Sequence, residues 1–217
     1  MKGLLVKDFK LMKGQKNFFF IIVAITASTA VFSDDTSFIL GFLPFILSMF
    51  ALSTISYDEF DNGNAFLFTL PVSRTGYTIE KYCLAIMLGG SALVFATFLA
   101  VISSILKGTA DIKEILMSSL IILPILIVIQ SLMIPFHLKF GGEKGRLAII
   151  GVFGIISVIG IAAIKVSEML GINIPDIINH LPVVSMGVMV TVIFMAAVII
   201  LLISIKTSNS IMNHKEF

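Results

Sequence analysis

The amino-acid sequence predicts an all-α, polytopic membrane protein with six transmembrane helices and both termini in the cytoplasm. Of its 217 residues, 58% are apolar and only 13% are charged. A soluble domain carries about 25% charged residues, and the mean hydropathy here is +1.08. A soluble globular protein is therefore excluded. The net charge of +2 is also too small to indicate a nucleic-acid partner.

Six apolar runs, each free of Asp, Glu, Lys and Arg, are the predicted spans. A bilayer core of about 30 Å requires roughly 20 apolar residues in a helix. The runs cover residues 18–32, 37–56, 83–106, 115–136, 147–164 and 184–205. The second is expected to end near Ser56, because each carboxylate beyond it would cost roughly 2.5 to 3.5 kcal/mol at the centre of a bilayer.

The first run is the weakest candidate. Its 15 residues would rise only about 22 Å as a helix, so we expect it to borrow residues from 13–17 or to thin the bilayer. A cleaved signal peptide is the alternative, since a basic segment precedes the run and Ser28 and Ala30 form a small-x-small pair. Five further spans favour the membrane anchor.

Basic residues give the orientation. Twelve of the 15 Lys and Arg residues lie on the side of the amino terminus, and only Lys107, Lys113 and Lys165 lie on the other. The positive-inside rule therefore places both termini in the cytoplasm. The chain is expected to lie in the plasma membrane. Residues 1–217 are expected to form one transmembrane domain. Its longest outer loop is residues 165–183, which form a short interfacial helix, dip back into the membrane or form a plain loop.

Residues 1–17 are predicted to form an interfacial helix. Leu5, Phe9 and Met12 follow the spacing of one helical face, while Lys7 and Lys10 point away from it. Lys13 adds another positive charge near the lipid headgroups. Asp8 interrupts the apolar arc.

Residues 57–82 are predicted to form a cytoplasmic loop that docks a soluble partner. The loop begins with three carboxylates, continues through an apolar stretch and ends beside a turn and an arginine. Exposed apolar residues flanked by charges are typical of protein interfaces. The alternative is a solvated loop whose tyrosines anchor helix ends. The candidate contact residues are Asp58, Glu59, Asp61, Phe66, Leu70, Pro71 and Arg74.

No catalytic residue and no metal site is predicted. The sequence contains no G-x-x-x-x-G-K-[ST] phosphate-binding loop. Ser91 follows two glycines as in a serine site, but the three histidines all lie at or beyond span ends, where none can activate it.

Gln130 is the most polar side chain at membrane depth, with Ser131 beside it. Two interpretations stay open: the pair joins neighbouring helices by hydrogen bonds, or it lines a substrate path. A row of small residues recurs every four positions at Ala92, Ala96, Ala100 and Ser104. Such a row predicts close helix packing, either inside the bundle or at a seam between two subunits.

Several short motifs resemble those of the small permeases of type-two ATP-binding-cassette exporters. The motifs are Met1 to Leu5 with Lys7, Asp8 and Phe9; Tyr57, Asp58 and Glu59; Thr69, Leu70, Pro71, Val72, Ser73 and Arg74; and Lys81 with Tyr82.

The resemblance implies a complex of two permease subunits, identical or related, on two ATPase subunits that bind ATP and Mg. The loop after the second span would contain the coupling helix, with Asp58, Glu59, Leu70, Pro71 and Arg74 in the coupling element. Lys2 to Lys16 would form the amino-terminal interface helix. The break at Asn62, Gly63 and Asn64 falls where a continuous helix is expected.

The function expected from the sequence is therefore the permease subunit of an exporter, with ATP hydrolysis on a separate subunit and membrane lipid around the spans. Amphipathic peptides or hydrophobic compounds are the expected substrates, because the spans offer no ionisable partner to a charged solute. The alternatives are a ligand-capturing six-helix subunit of an importer, which would use Glu168, Asp176, Asn179 and His180 near the outer face, and a membrane scaffold without transport.

Overall fold

The computed structural model consists of helices joined by short connections. It describes residues 2–33, 36–60, 63–108, 112–142 and 186–216, together with separated positions between 144 and 165. The helices are α1 (Lys2–Gly14), α2 (Lys16–Phe32), α3 (Ser37–Glu59), α4 (Gly63–Leu67), α5 (Arg74–Lys107), α6 (Ile112–Phe140) and α7 (Met186–His214).

Four helices, α3, α5, α6 and α7, are long and apolar enough to cross a membrane. These confirm four of the six predicted spans. The first predicted span meets this standard only as a bent pair, because α2 has 17 residues and meets α1 at an angle of 70°. The fifth predicted span, residues 147–164, falls largely outside the described residues, although its described positions are helical.

The helix ends differ from the predicted span ends on the side where charges concentrate. Helix α3 continues past Ser56 to Glu59, and α5 begins at Arg74, where the Ser73 hydroxyl accepts the Gly76 N–H at 3.0 Å. The predicted loop 57–82 is thus largely helical, and only residues 60–73 connect α3 to α5. Since the 34 residues of α5 extend about 51 Å, its first turns project beyond a bilayer core of about 30 Å.

The helices pack around two apolar clusters. Helix α3 packs mainly on α5, and α6 packs mainly on α7. One cluster joins α1 to the end of α3 and the start of α5 through residues such as Leu4, Ile55 and Tyr77. The other contains the small residues Ala92 and Ala96. That row therefore packs inside the bundle, against α2 and α3.

Candidate functional site

One end of the bundle collects segments that are far apart in the sequence. We call it the charged end; it comprises α1, the last turn of α3, the first turns of α5, and the carboxyl ends of α6 and α7. Lys215, just beyond α7, donates to the Glu59 Oε1 at 2.6 Å and to the carbonyl oxygen of Leu138 in α6 at 2.8 Å. Lys7 in α1 donates to Asp58, the residue before Glu59. Both ends of the described chain therefore lie at the same end of the bundle.

Lys81 is the centre of the charged end. Its side chain is completely buried, and its Nζ lies 2.6 Å from Asp8 Oδ2, 2.9 Å from Thr54 Oγ1 and 3.0 Å from Asp58 Oδ2. The ammonium donates hydrogen bonds to Asp8 of α1 and Thr54 of α3, and it forms an ion pair with Asp58 of α3. The Thr54 hydroxyl donates its own proton to the Ala51 carbonyl oxygen at 2.8 Å, which leaves its lone pairs for Lys81.

Asp58 is the second hub. It accepts from Lys7 and from the Tyr77 hydroxyl at 3.1 Å, in addition to its pairing with Lys81. Lys7 also lies 3.2 Å from Asp8. Glu80 is fully buried beside them, with Oε2 3.6 Å from the Lys81 Nζ. We call Lys7, Asp8, Asp58, Glu80 and Lys81 the buried charge cluster; it joins α1, α3 and α5.

The cluster explains why Asp8 interrupts the apolar arc of α1. Leu4 and Asp8, one turn apart, face the bundle and are buried, whereas Phe9 and Lys13 are exposed. Lys7 is predicted to point away from the apolar face formed by Leu5, Phe9 and Met12; in the structure it pairs with Asp8 and Asp58. The inward face of α1 is therefore set by an ionic contact, which one-dimensional apolar spacing does not report.

Glu59 holds the end of α6 against α3. Its Oε2 accepts the Gly142 N–H at 3.2 Å, and its Oε1 pairs with Lys215. A Cβ on Gly142 would lie 2.8 Å from the Ser56 Cβ, so only glycine allows this approach. Gly141, at a φ of 80°, lets the chain turn there, since glycine adopts positive φ without a steric penalty.

Arg74 closes the carboxyl end of α7. Its Nη1 donates to the carbonyl oxygens of Met212 and Asn213, at 2.9 and 2.8 Å. The last carbonyls of a helix have no partner within that helix, so a guanidinium placed there satisfies them. Its guanidinium carbon also lies 5.9 Å from the centre of the Phe68 ring.

The connection between α3 and α5 exposes apolar side chains beside the charged end. Phe60, Phe66 and Leu70 are 73%, 71% and 44% exposed, and we call these three the apolar ridge. The five-residue helix α4 holds it in place, because Leu67 is buried in the core. The predicted break covers Asn62, Gly63 and Asn64, but Gly63 and Asn64 are the first residues of α4, and Asn62 lies outside the described residues.

The predicted contact residues fall into two sets. Asp58, Glu59 and Arg74 bond to other parts of the chain. Phe66, Leu70 and Pro71 are exposed, and Asp61 lies outside the described residues. The role of both sets in coupling stays a prediction.

Sequence reasoning did not assign a role to three members of the buried charge cluster: Asp8, Glu80 and Lys81. Asp8 and Lys81 are 73 positions apart, so no local pattern links them. One signal was available, namely that Glu80 and Lys81 stand directly before a long apolar run in a chain with few charges.

Gln130 and Ser131 both make contacts between helices. The Gln130 Nε2 donates to the Ser48 Oγ of α3 at 2.9 Å, and the Ser131 carbonyl accepts from Ser204 of α7. The Tyr82 hydroxyl extends this network, since it lies 2.5 Å from the Ser204 Oγ. These contacts support the interpretation that Gln130 and Ser131 join neighbouring helices. That they line a substrate path stays a prediction.

One expected site cannot be located. The outer loop 165–183, with its candidate residues Glu168, Asp176, Asn179 and His180, lies outside the described residues except for Lys165. Within the described ranges, no three His, Cys, Asp or Glu side chains form a group that could hold a metal ion.

Comparison with known proteins gives a single match. The model of the family described as "ABC-2 family transporter protein" matches residues 3–213. Neither a curated protein nor a solved structure matches the chain.

Proposed function

The chain belongs to the ABC-2 transporter family, whose members are membrane permeases, and we propose that it exports its substrate with energy from a separate ATPase subunit. The family match covers nearly the whole chain, so the permease role applies to the molecule as a unit. ATP and Mg would bind the ATPase, and a second permease subunit, identical or related, would complete the path.

The apolar ridge supports coupling at the charged end. Three large apolar side chains exposed on a short helical connection form a ready contact for a soluble domain, because burying each would gain about 1.5 to 3 kcal/mol. The ridge connects α3 directly to α5. A push on it would therefore act on two membrane-spanning helices at their ends.

The buried charge cluster would carry that push to a third helix. Asp58 lies in the last turn of α3, and Lys81 lies near the start of α5. Asp8 belongs to α1, which leads into α2. The Lys81 Nζ lies 2.6 Å from the Asp8 carboxylate and 3.0 Å from the Asp58 carboxylate. Moving one of these helices away from the others would break these ion pairs. The three helices would then move together.

Helix α1 suits a position at the inner membrane surface. Its outward face combines the exposed apolar residues Val6 and Phe9 with the exposed lysines Lys2, Lys10 and Lys13. Such a face inserts apolar side chains between lipids and places ammonium groups at phosphates. The bend of 70° between α1 and α2 permits α1 to lie flat while α2 enters the membrane.

Association with the ATPase tests the coupling proposal. Phe66→Ala should weaken co-purification of the ATPase about 30-fold or more, the loss typical of a side chain central to an interface. Phe32→Ala is the matched control, because Phe32 is 87% exposed at the far end of α2. Unchanged association in Phe66→Ala would remove the apolar ridge from the contact.

Proteoliposomes containing both subunits test the substrate class. Amphipathic peptides or hydrophobic drugs should raise ATP turnover and compete with one another, whereas sugars and inorganic ions should not. The physical reason is that the apolar runs predicted from the sequence contain no charged side chain to replace the hydration of a hydrophilic solute. Stimulation by a sugar alone would favour the importer.

A further inference from the structure

A cavity lies between four helices inside the apolar part of the bundle. Its volume is about 220 Å³, and residues of α3, α5, α6 and α7 line it, among them Ser48, Gly89, Leu126, Gln130 and Phe194. For scale, an apolar protein cavity of about 150 Å³ binds benzene. This cavity is therefore large enough for a body of about two rings.

Gln130 gives this apolar cavity one polar feature. The side chain is 3% exposed, and its Oε1 has no hydrogen-bond partner in the part of the chain that the structure describes. The amide orientation follows from Ser48, whose hydroxyl donates to the Phe45 carbonyl oxygen at 2.8 Å and therefore accepts from the Gln130 Nε2. The amide oxygen of Gln130 therefore receives no hydrogen bond from the described residues.

An acceptor buried without a donor is unfavourable, because it has lost water and gained nothing in exchange. Among the described residues, none of those lining the cavity is charged, so none of them would pair with a charged ligand. A ligand that fits must therefore be uncharged, largely apolar, and able to donate a hydrogen bond.

We propose that this cavity binds an uncharged amphipathic molecule whose hydroxyl or amide N–H donates to the Gln130 Oε1 while its apolar body contacts Leu126 and Phe194. A membrane lipid with a free hydroxyl and an exported solute present the same chemistry. Binding at the cavity does not depend on the proposed direction of transport, so each idea can fail without the other.

Two glycines determine how the cavity can be filled. A Cβ on Gly89 would lie 3.1 Å from the Ser48 Cβ, so Gly89 is needed for the close approach of α3 and α5. Gly90 also lines the cavity, but a Cβ there would have no atom within 4 Å. Gly90→Leu is therefore expected to occupy the cavity without a clash.

The test uses the full chain in lipid nanodiscs and a matched pair of probes. A photoreactive naphthol, 6-azido-2-naphthol, labels the protein, and either 2-naphthol or 2-methylnaphthalene competes at equal membrane concentration. The two competitors have similar shapes, but only 2-naphthol donates a hydrogen bond. We expect the label on the cavity-lining parts of α3, α5, α6 or α7, and competition by 2-naphthol at least tenfold stronger than by 2-methylnaphthalene.

Variants separate the acceptor from the cavity. Gln130→Met should weaken competition by 2-naphthol about tenfold. Competition by 2-methylnaphthalene should stay unchanged, and this result would show that the fold is intact. Gly90→Leu should abolish labelling, and Val94→Leu, one turn further along α5 and outside the cavity lining, should not.

Equal competition by the two compounds in the unmodified chain would overturn the proposal. An equal loss of competition by both compounds in Gln130→Met would also overturn it.

Mass spectrometry of molecules extracted from the purified chain identifies the source of the ligand. A hydroxyl-bearing lipid depleted in Gln130→Met would indicate a lipid ligand, and a ligand seen only after a solute is supplied would indicate a transported one.

Discussion

Replacing Lys81 by methionine tests whether the buried charge cluster holds the charged end together. Methionine keeps the length of the side chain and removes the ammonium. Asp8, which is fully buried, and Asp58, which is 9% exposed, would then share Lys7 as their remaining cationic partner in the cluster. Lys7 itself is partly exposed, at 31% of its side chain.

The expected cost is large because burial prevents water from replacing Lys81. Breaking a buried ion pair by removing one partner costs about 3 to 5 kcal/mol. For a chain of 150 to 250 residues, 1 kcal/mol corresponds to a change in Tm of roughly 2 to 4 °C. Lys81→Met should therefore lower Tm by roughly 6 to 20 °C.

Thermal unfolding of the purified chain in detergent is monitored by circular dichroism. Lys10→Met is the matched control, because it removes one positive charge from an exposed position of α1 and should leave Tm nearly unchanged. The double variant Lys81→Met/Asp8→Leu should recover part of the loss, since replacing both members of a buried pair by apolar residues is often neutral. Equal Tm values for Lys81→Met and Lys10→Met would refute the reasoning.

Three further outcomes are expected. Lys7→Met should lower the free energy of unfolding by less than Lys81→Met, measured by the same unfolding curves, because water can solvate the carboxylates near the partly exposed Lys7. Arg74→Gln should speed amide hydrogen exchange in the last turn of α7 by about tenfold or more, since lost charge-assisted hydrogen bonds are worth about 1.5 to 3 kcal/mol; exchange as slow as in the unmodified chain would contradict this cap. In a Cys83→Ser background, Asp111→Cys should react with an impermeant thiol reagent on intact cells and Asn213→Cys should not, and the reverse pattern would invert the predicted topology.

The spans could be predicted because their signal is local. Each run without Asp, Glu, Lys or Arg reports directly that a helix there can be surrounded by lipid or by other apolar helices. The ends were less predictable. The cost assigned to Asp58 and Glu59 assumed contact with hydrocarbon, whereas α3 continues through both, because Lys7 and Lys81 neutralise Asp58 and Lys215 pairs with Glu59.

The charged end could not be derived from the sequence, because its contacts join distant segments. Lys215 and Glu59 are 156 positions apart, and Arg74 and Met212 are 138 apart. Each residue alone is compatible with a solvated loop. The apolar ridge, by contrast, was visible as Phe66 and Leu70 near carboxylates, since exposed apolar residues in a short connection are a local signal.

The position of the buried charge cluster has a mechanical consequence for a permease driven from outside the membrane. Its members lie in the middle of α1, in the last turn of α3 and in the early turns of α5. In a low-dielectric environment these charge-assisted hydrogen bonds are strong, and they weaken steeply when their geometry is distorted, so the cluster resists gradual deformation. A displacement of the apolar ridge would therefore either move the three helices as a unit or break the pairs. A cluster of apolar side chains would instead slide, because apolar contacts have no fixed partner. Ionic contacts are thus suited to this location, even though they add little to stability compared with an apolar core of equal size.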